Sequence, residues 1–293
     1  MNQVVIKAMA KVNLGLDVLR RLENGYHEVK MVMQTVNLYD ELIVKKEEGC
    51  GISITSNTGE LPLNEDNLIY KAAKLIFEKA GCSCGVSIHL NKNIPIAAGM
   101  AGGSTDAAAT LLAINHLFEF GMSKEELASI GVKIGADVPY CIYGGTYLSE
   151  GIGEVLTKLP DAPDCYVVIA KPGIGVSTKY VYENLHIETV KDHPDMDGMV
   201  EAIQNGSLQG VVDKMGNVLE TVTIKKYPEI AAMKQCLMDN GAENALMSGS
   251  GPTVFGIFIK EETAKKALEE LEKTGLVKQG FVTTFAKETG NLE

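Results

Sequence analysis

The chain has 293 residues, of which 45% are hydrophobic and 22% charged, enough to bury a substantial core in one large or two smaller domains. Its formal net charge of −11 argues against a nucleic-acid-binding surface, which would need a clustered basic face. No uncharged apolar run reaches the roughly 18 residues of a membrane helix, so we expect no membrane span.

Location in the cell follows from two further features. Lys7 and Lys11 interrupt the apolar residues near the N-terminus, so we expect no signal-peptide core. The six cysteines are scattered, and Cys82 and Cys84 form the only close pair, with no second pair to complete a zinc site. We therefore expect reduced thiols and a cytoplasmic protein.

The N-terminal strands are predicted from alternating apolar and polar residues. Over residues 11–19 one face is predicted to carry Val12, Leu14, Leu16 and Val18. Lys11 and Asn13 then lie together on the other face, roughly 7 Å apart. From the residues alone, a half-solvated edge strand accounts for both without a ligand.

A hairpin turn is predicted at Asn24-Gly25, a dipeptide typical of tight β-turns. Tyr26 and His27 follow it directly. A tyrosine after a turn is usually an amphipathic plug, and an isolated histidine is usually structural. Residues 38–44 and 51–56 then read as strands.

A helix beginning near Leu68 is predicted after the cluster of residues 64–67, in which Asn67 is a cap candidate. Residues 86–90 alternate as the strand that leads to the glycine-rich segment 94–118. There Gly99, Gly102 and Gly103 open into an Ala- and Leu-rich helix. A glycine loop that opens into a helix gathers unpaired N–H groups and the positive end of the helix dipole, which favours phosphate.

The residues of this loop exclude two common phosphate motifs. A Walker loop needs Lys where Gly103 stands, and Ala101 breaks the Gly-x-Gly spacing of the dinucleotide fingerprint. Charge neutralisation must therefore come from backbone N–H groups and from residues elsewhere, and the site must be locally positive. A plain glycine turn capped by Ser104 remains the alternative without a ligand.

The loop resembles the phosphate-binding motif of the GHMP kinase superfamily at Pro95, Gly99, Gly102, Gly103, Ser104 and the following Asp-Ala-Ala-Ala. The resemblance implies an ATP-binding segment, which comprises Pro95, Ala98, Gly99, Met100, Ala101, Gly102, Gly103, Ser104 and Thr105. It also implies an adenosine contact for Asn67, with the helix-cap role as the open alternative.

Two further segments resemble one branch of the superfamily. Its members phosphorylate the tertiary hydroxyl of a cytidylated small molecule in isoprenoid precursor biosynthesis. The matching runs are residues 10–14 and 24–29. By resemblance, Lys11 and Asn13 belong to the active site, while Tyr26 and His27 hold the cytidine.

The run 135–139, Gly-Ala-Asp-Val-Pro, resembles the branch's catalytic signature, which makes Asp137 the catalytic carboxylate. From composition alone this aspartate is an ordinary turn or cap residue. The following residues 140–145 read as a strand with a Gly-Gly turn.

The second half of the chain is predicted to form a separate domain. A Gly-, Pro- and Asp-rich stretch places the boundary near Leu159, between an ATP-binding domain (1–159) and a substrate-binding domain (160–293). The run 171–178 resembles the family's substrate loop. Tyr182 is the expected aromatic partner of the cytosine, with Tyr180 as the alternative.

The C-terminal residues complete the family pattern. The run 246–253 resembles the third superfamily motif, a glycine-rich loop near the phosphates, with a tight turn into the strand 254–259 as the alternative without a ligand. Residues 261–273 read as a surface helix and 280–285 as a last strand. This strand–helix–strand order predicts a split βαβ unit.

Together these features predict an α+β protein with the two-domain GHMP kinase fold and an active site in the cleft between the domains. We expect ATP as phosphoryl donor, a cytidylated small-molecule substrate, and Mg²⁺, with Ser104 and Thr105 as unassigned ligand candidates. We expect a monomer or weak homodimer. A GHMP kinase for another small alcohol and a non-catalytic binding module remain the alternatives.

Overall fold

The computed structural model describes residues 2–287, and within them helices occur together with two mainly antiparallel sheets, which confirms the α+β class. The strands are β1 (Gln3–Arg21), β2 (His27–Glu47), β3 (Gly51–Ser56), β4 (Gly85–Asn91), β5 (Thr146–Glu150), β6 (Val155–Lys158), β7 (Tyr166–Pro172), β8 (Gly216–Asn217), β9 (Asn244–Met247), β10 (Val254–Phe258) and β11 (Val277–Thr284). They form two sheets. The first has the order β3-β4-β2-β1-β8, with β5 and β6 continuing from β2, and the second has the order β11-β7-β10-β9.

The described chain contains ten α-helices. They are α1 (Leu68–Ala80), α2 (Gly102–Leu117), α3 (Lys124–Gly131), α4 (Val138–Tyr143), α5 (Thr178–Glu183), α6 (Met196–Gln204), α7 (Leu208–Asp213), α8 (Glu220–Lys226), α9 (Glu229–Asp239) and α10 (Glu261–Lys273). Helix α2 packs against β1, α1 and α4. None of these helices is both long and apolar enough to cross a bilayer.

Two irregularities in β1 decide which of its side chains face the helices. The pairing register with β2 shifts between residues 9 and 11 and again between residues 13 and 15. Each bulge turns the side chains that follow it to the opposite face. Val12 and Leu14 therefore lie in the core between the two sheets, while Leu16 lies in the core under the helices. The continuous alternation predicted for this strand is wrong.

The same bulges bring Lys11 and Asn13 to the helix side of the sheet. Their residues are only 5% and 0% exposed. The half-solvated strand that the residues alone suggested is therefore excluded, because neither polar side chain reaches bulk water.

The second sheet confirms the predicted split βαβ unit. Strands β10 and β11 are joined by α10, and both pair antiparallel with β7, which lies between them. The two sheets do not divide cleanly at Leu159, since β8 pairs with β1 and Phe285 bridges to Val36. The domain boundary stays a prediction.

Two local predictions are wrong. Residues 140–145 were expected to form a strand, but α4 covers most of them, and Pro139 stands in its first turn, where its missing N–H costs nothing. The structure also joins Cys82 and Cys84 by a disulfide instead of leaving them as thiols, because both lie in the short connection between α1 and β4 with their Cα atoms 5.7 Å apart.

Candidate active site

A glycine loop connects β4 to α2 and forms the floor of a cleft of about 1060 Å³. Helix α2 begins at Gly102, and its N-cap residue is Ala101, with φ of +57° and no side-chain capping bond. Ser104 lies inside the first turn and does not cap the helix. The N–H groups of this turn are therefore left for a ligand, as expected of an anion site at a helix N-terminus.

A second glycine-rich loop, residues 248–251, holds this first loop in place. Ser248 donates a hydrogen bond from Oγ to the carbonyl oxygen of Gly99, at 2.9 Å. Gly99 has φ of +70°, and a Cβ at this position would collide with the carbonyl oxygen of Ser248. Only glycine fits here, because both the backbone conformation and the close approach exclude a side chain.

Asn217 at the end of β8 supports the second loop from behind. Its Nδ2 donates to the carbonyl oxygens of Met247, at 2.8 Å, and Gly249, at 2.7 Å, while its Oδ1 accepts from the N–H of Leu219. On the other side, the hydroxyl of Ser250 lies 2.8 Å from that of Thr178 at the start of α5. The loop therefore links the glycine loop to the helix that carries Tyr182.

Lys11, Asn13 and Asp137 meet on the wall of the cleft. The Nζ of Lys11 donates to the Oδ1 of Asn13 at 2.7 Å and lies 3.8 Å from the Oδ2 of Asp137. The Lys11 side chain is 6% exposed, whereas the Asp137 side chain is 32% exposed and faces the cleft. A buried ammonium beside an accessible carboxylate can position an alcohol and stabilise negative charge at the same point.

The aromatic residues predicted to bind the base also line the cleft. The rings of His27 and Tyr182 are 5.1 Å apart and tilted by 38°. Tyr26 stands on the hairpin turn, 59% exposed, and also lines the cleft. Tyr180 does not line it, because its ring lies under the ammonium of Lys226, 3.5 Å from the ring centroid.

The imidazole of His27 is kept neutral by its surroundings. Burial lowers the pKa of His27, and the nearby Arg21 guanidinium lowers it further. At neutral pH the ring therefore offers one N–H donor and one nitrogen acceptor. Such a ring can hydrogen-bond to the polar edge of a base without adding charge to the cleft.

Two residues predicted for ATP binding have other partners. Thr105 is 1% exposed, and its hydroxyl donates to the carbonyl oxygen of Met9, so it lies behind the loop instead of in the cleft. Asn67 lines the cleft, but it caps α1 through its Oδ1 and donates from Nδ2 to the carbonyl oxygen of Pro62. These bonds show the helix-cap role and use one N–H and one lone pair of the amide, so the adenosine contact stays a prediction.

The remaining predicted residues lie together. The cleft is lined by Pro95, Ala98, Gly99, Met100, Ala101, Gly102, Gly103, Ser104, Lys11, Asn13, Asp137, Tyr26, His27 and Tyr182. These positions come from β1, the hairpin turn, the glycine loop, the N-cap of α4 and α5. They unite the predicted phosphate, catalytic and base-binding residues in one space.

Sequence reasoning missed a buried ion cluster under the glycine loop. The Nζ of Lys92 binds the Oδ2 of Asp106 at 2.7 Å and the Oδ2 of Asp40. The three side chains are 6%, 4% and 0% exposed. The available signal was an aspartate on the apolar, alanine-rich α2, which needs a buried partner.

Burial and the neighbouring Asp40 carboxylate raise the pKa of Asp106 well above its ordinary value, although the Lys92 ammonium opposes this shift. Burial alone would lower the pKa of Lys92, but the Asp106 and Asp40 carboxylates outweigh it and raise that pKa. The lysine therefore stays charged, while Asp106 resists ionisation.

Known protein families match the chain in both halves. The family described as GHMP kinases N terminal domain matches residues 67–145, and GHMP kinases C terminal matches residues 199–276. A protein of Lachnoclostridium phytofermentans named 4-diphosphocytidyl-2-C-methyl-D-erythritol kinase is 52% identical over 97% of this chain and 98% of its own length. A protein of the same name from Geobacillus kaustophilus is 48% identical over 98% of this chain and 99% of its own length.

Solved structures agree with these relatives. A crystal structure of 4-(cytidine 5'-diphospho)-2C-methyl-D-erythritol kinase has a TM-score of 0.82 at 33% identity and covers 96% of this chain and 99% of its own. A homoserine kinase from Cytophaga hutchinsonii has the same TM-score at 22% identity, covering 100% of this chain and 98% of its own, which shows a shared fold alone.

The raised pKa of Asp106 predicts a pH-dependent stability difference. Above the ordinary value of 3.8 the unfolded chain releases this proton while the folded protein keeps it. The free energy of unfolding should therefore fall by up to about 1.4 kcal/mol per pH unit as pH rises toward the folded pKa. Asp106→Asn has no carboxyl proton to release, so its free energy of unfolding should not fall in this way. Chemical denaturation from pH 4 to 7 should therefore show the stability of the variant rising relative to that of the wild type. A constant difference would contradict the raised pKa.

Proposed function

This chain belongs to the GHMP kinase family, and we propose that it transfers the γ-phosphoryl group of ATP to the 2-hydroxyl of 4-diphosphocytidyl-2-C-methyl-D-erythritol in isoprenoid precursor biosynthesis. The products are the 2-phosphate and ADP. The observation that carries the proposal is one cleft that holds the glycine loop, the Lys11–Asp137 pair and the His27–Tyr182 ring pair.

The glycine loop is suited to the triphosphate. Uncapped N–H groups in the first turn of α2 supply donors, and the helix dipole favours the negative charge. Mg²⁺ would neutralise charge on the phosphates when bound. Among the described residues no group of three or more His, Cys, Asp or Glu side chains is placed to hold a metal ion, so the protein ligands of Mg²⁺ stay unassigned.

Asp137 and Lys11 divide the work at the reacting hydroxyl. Phosphoryl transfer has a loose transition state, which needs little proton removal early and depends mainly on positioning. Asp137 then orients the hydroxyl and takes its proton late, while Lys11 balances charge on the transferring group.

The aromatic residues that line the cleft favour a cytidylated substrate over the alternatives. A nucleobase needs a ring platform and a polar reader, which Tyr26, Tyr182 and a neutral His27 supply. A carboxylate substrate such as a mevalonate-type acid calls for an Arg clamp, which Arg21 in the cleft could supply, so the discrimination rests on the aromatic rings. The contact between Lys11 and Asp137 argues against a non-catalytic module.

The substrate is tested by ADP release from ATP and Mg²⁺ with the cytidylated alcohol, mevalonate and homoserine in parallel. Turnover with the cytidylated alcohol alone supports the proposal, and preferential turnover of either acid overturns it. Location in the cytoplasm remains our inference, although the Cys82–Cys84 disulfide removes reduced thiols from its support. A monomer or weak homodimer is also our inference, which sedimentation of the purified chain can check.

Bulk at Gly103 should obstruct the triphosphate. A Cβ here would lie 3.4 Å from the Cδ1 of Leu68, an ordinary contact, so Gly103→Val should fold. Its added methyl groups occupy the cleft beside the loop, and KM for ATP should rise by at least about tenfold, equivalent to about 1.4 kcal/mol. Gly59→Val is the control, because Gly59 is exposed with open space around it. Equal KM values in both variants would remove the loop from ATP binding.

Loss of the Tyr26 ring should weaken binding of the cytidylated substrate and leave ATP binding unchanged. Stacking on one aromatic ring contributes roughly 1–3 kcal/mol per base, so Tyr26→Ala should raise the substrate's dissociation constant by about one to two orders of magnitude. Tyr180→Ala is the matched control, since Lys226 covers that ring. If Tyr26→Ala weakens both ligands equally, Tyr26 is only a structural plug. If Tyr180→Ala weakens the substrate, the assignment of Tyr182 as partner is wrong.

Removal of the carboxylate charge at Asp137 should slow turnover. General-base help is typically worth 10²–10⁴-fold, so Asp137→Asn should lower kcat by about that range with modest changes in KM. Lys11→Ala should cost a comparable factor. The double variant should lose far less than the product of the two, because contacting residues act as a unit. Multiplicative losses would show independent action, and near-wild-type turnover in Asp137→Asn would exclude it from the chemistry.

A further inference from the structure

Two buried carboxylates share a single ammonium beneath the glycine loop. Asp40 accepts from the N–H groups of Asn93 and Ile94 with Oδ1, and from Lys92 with Oδ2. Asp106 accepts from Lys92 with Oδ2 only. With both carboxylates ionised, this cluster would carry one uncompensated negative charge in a site almost closed to water.

One oxygen of the cluster has no partner. The Oδ1 of Asp106 is buried and makes no hydrogen bond within the described residues. An ionised carboxylate can only accept hydrogen bonds, and its other charged neighbour, Asp40, has none to donate. A proton on Asp106 resolves the mismatch, because it turns Asp106 into a donor, and the Asp40 carboxylate bound to the same Lys92 ammonium is an acceptor beside it.

We propose that Asp40 and Asp106 share one proton, so that the Lys92 cluster carries no net charge, and that this neutrality lets the glycine loop above it bind a polyphosphate. The second half of this inference rests on the proposed binding of ATP at the loop. Lys92, Asp40 and Asp106 act here as positioning residues, since they set the charge under the loop and need not touch the nucleotide.

The position of the cluster explains why its charge matters. The Nζ of Lys92 lies 3.1 Å from the point that a Cβ on Gly102 would occupy, directly under the first residue of α2. From α4, the buried Cys141 thiol interacts electrostatically with Asp106, and burial raises the pKa of this thiol so that it stays neutral. A net negative charge at this depth, where screening by water is weak, would repel the phosphates that the N–H groups attract.

The first test uses no nucleotide. The infrared spectrum of the wild-type protein at pH 7 should contain the C=O band of a protonated carboxylic acid, and this band should be lost in Asp106→Asn. The variant is nearly isosteric, and its amide can donate to Asp40 as the protonated acid does. Absence of the band in the wild type, or its persistence in the variant, overturns the shared proton.

The second test measures the dissociation constant of a non-hydrolysable ATP analogue by calorimetry at pH 7. Lys92→Met leaves a net negative charge and should weaken binding by about tenfold, equivalent to about 1.4 kcal/mol. Adding Asp40→Asn removes that charge, keeps an oxygen acceptor for the two N–H groups, and should return binding to within about threefold of the wild type. Circular dichroism verifies that each variant is folded.

Several results would overturn the inference. Lys92→Met with unchanged affinity, or a folded double variant that is not rescued, would show that the net charge is irrelevant. An ionised Asp106 would instead make Asp106→Asn bind the analogue about tenfold more tightly than the wild type. This single variant decides the question if Lys92→Met does not fold. Failure of the wild type to bind the analogue would contradict the proposed function, while leaving the infrared result to judge the proton.

Discussion

The close approach of two glycine loops is the constraint on which the cleft depends. Gly99 and Gly249 both have positive φ, and a Cβ on Gly249 would lie 3.1 Å from the carbonyl oxygen of Gly99. One loop precedes α2, and the other joins β9, an edge strand of the second sheet, to its neighbour β10. Their contact, fastened by Ser248 and supported by Asn217, fixes the N-terminus of α2 relative to α5. Phosphate site and base site therefore keep one geometry.

The bulged strand β1 serves two cores and the active site at once. Between its bulges, Val12 and Leu14 fill the core shared by the two sheets, and Lys11 and Asn13 point the other way into the cleft. Outside the bulges the apolar residues return to the core under the helices. An unbroken strand of the same sequence would place its apolar residues on one face throughout. Bulges beside active sites commonly re-aim side chains in this way.

Local patterns predicted much of this structure, and non-local contacts account for the rest. The bounds of α10, the split βαβ unit and the glycine loop all follow from the spacing of apolar residues and from the positions of glycine and proline. The face change in β1 depends on pairing with β2, which no local alternation records. The β-propensity of the short apolar run in α4 predicts a strand. The run is helical in the structure because tertiary packing overrides that propensity. The Lys92 cluster joins residues 52 and 14 positions away along the chain, so spacing could not reveal it.

The charges around the cleft explain how a strongly acidic chain can bind polyanions. The lining side chains include four cations and four acids: Lys11, Arg21, Lys92 and Lys179 against Asp66, Asp106, Asp137 and Glu183. Side-chain charge alone therefore gives the cleft no positive excess, although a protein with a net charge of −11 needs a locally positive site to bind polyanions. Attraction must come from groups that carry no formal charge, namely the uncapped N–H groups of α2 and the helix dipole. These partial charges can determine how the cleft attracts phosphate only where the full charges nearby cancel. The pairing of Lys11 with Asp137 meets this condition, and a neutral Lys92 cluster would meet it under the glycine loop.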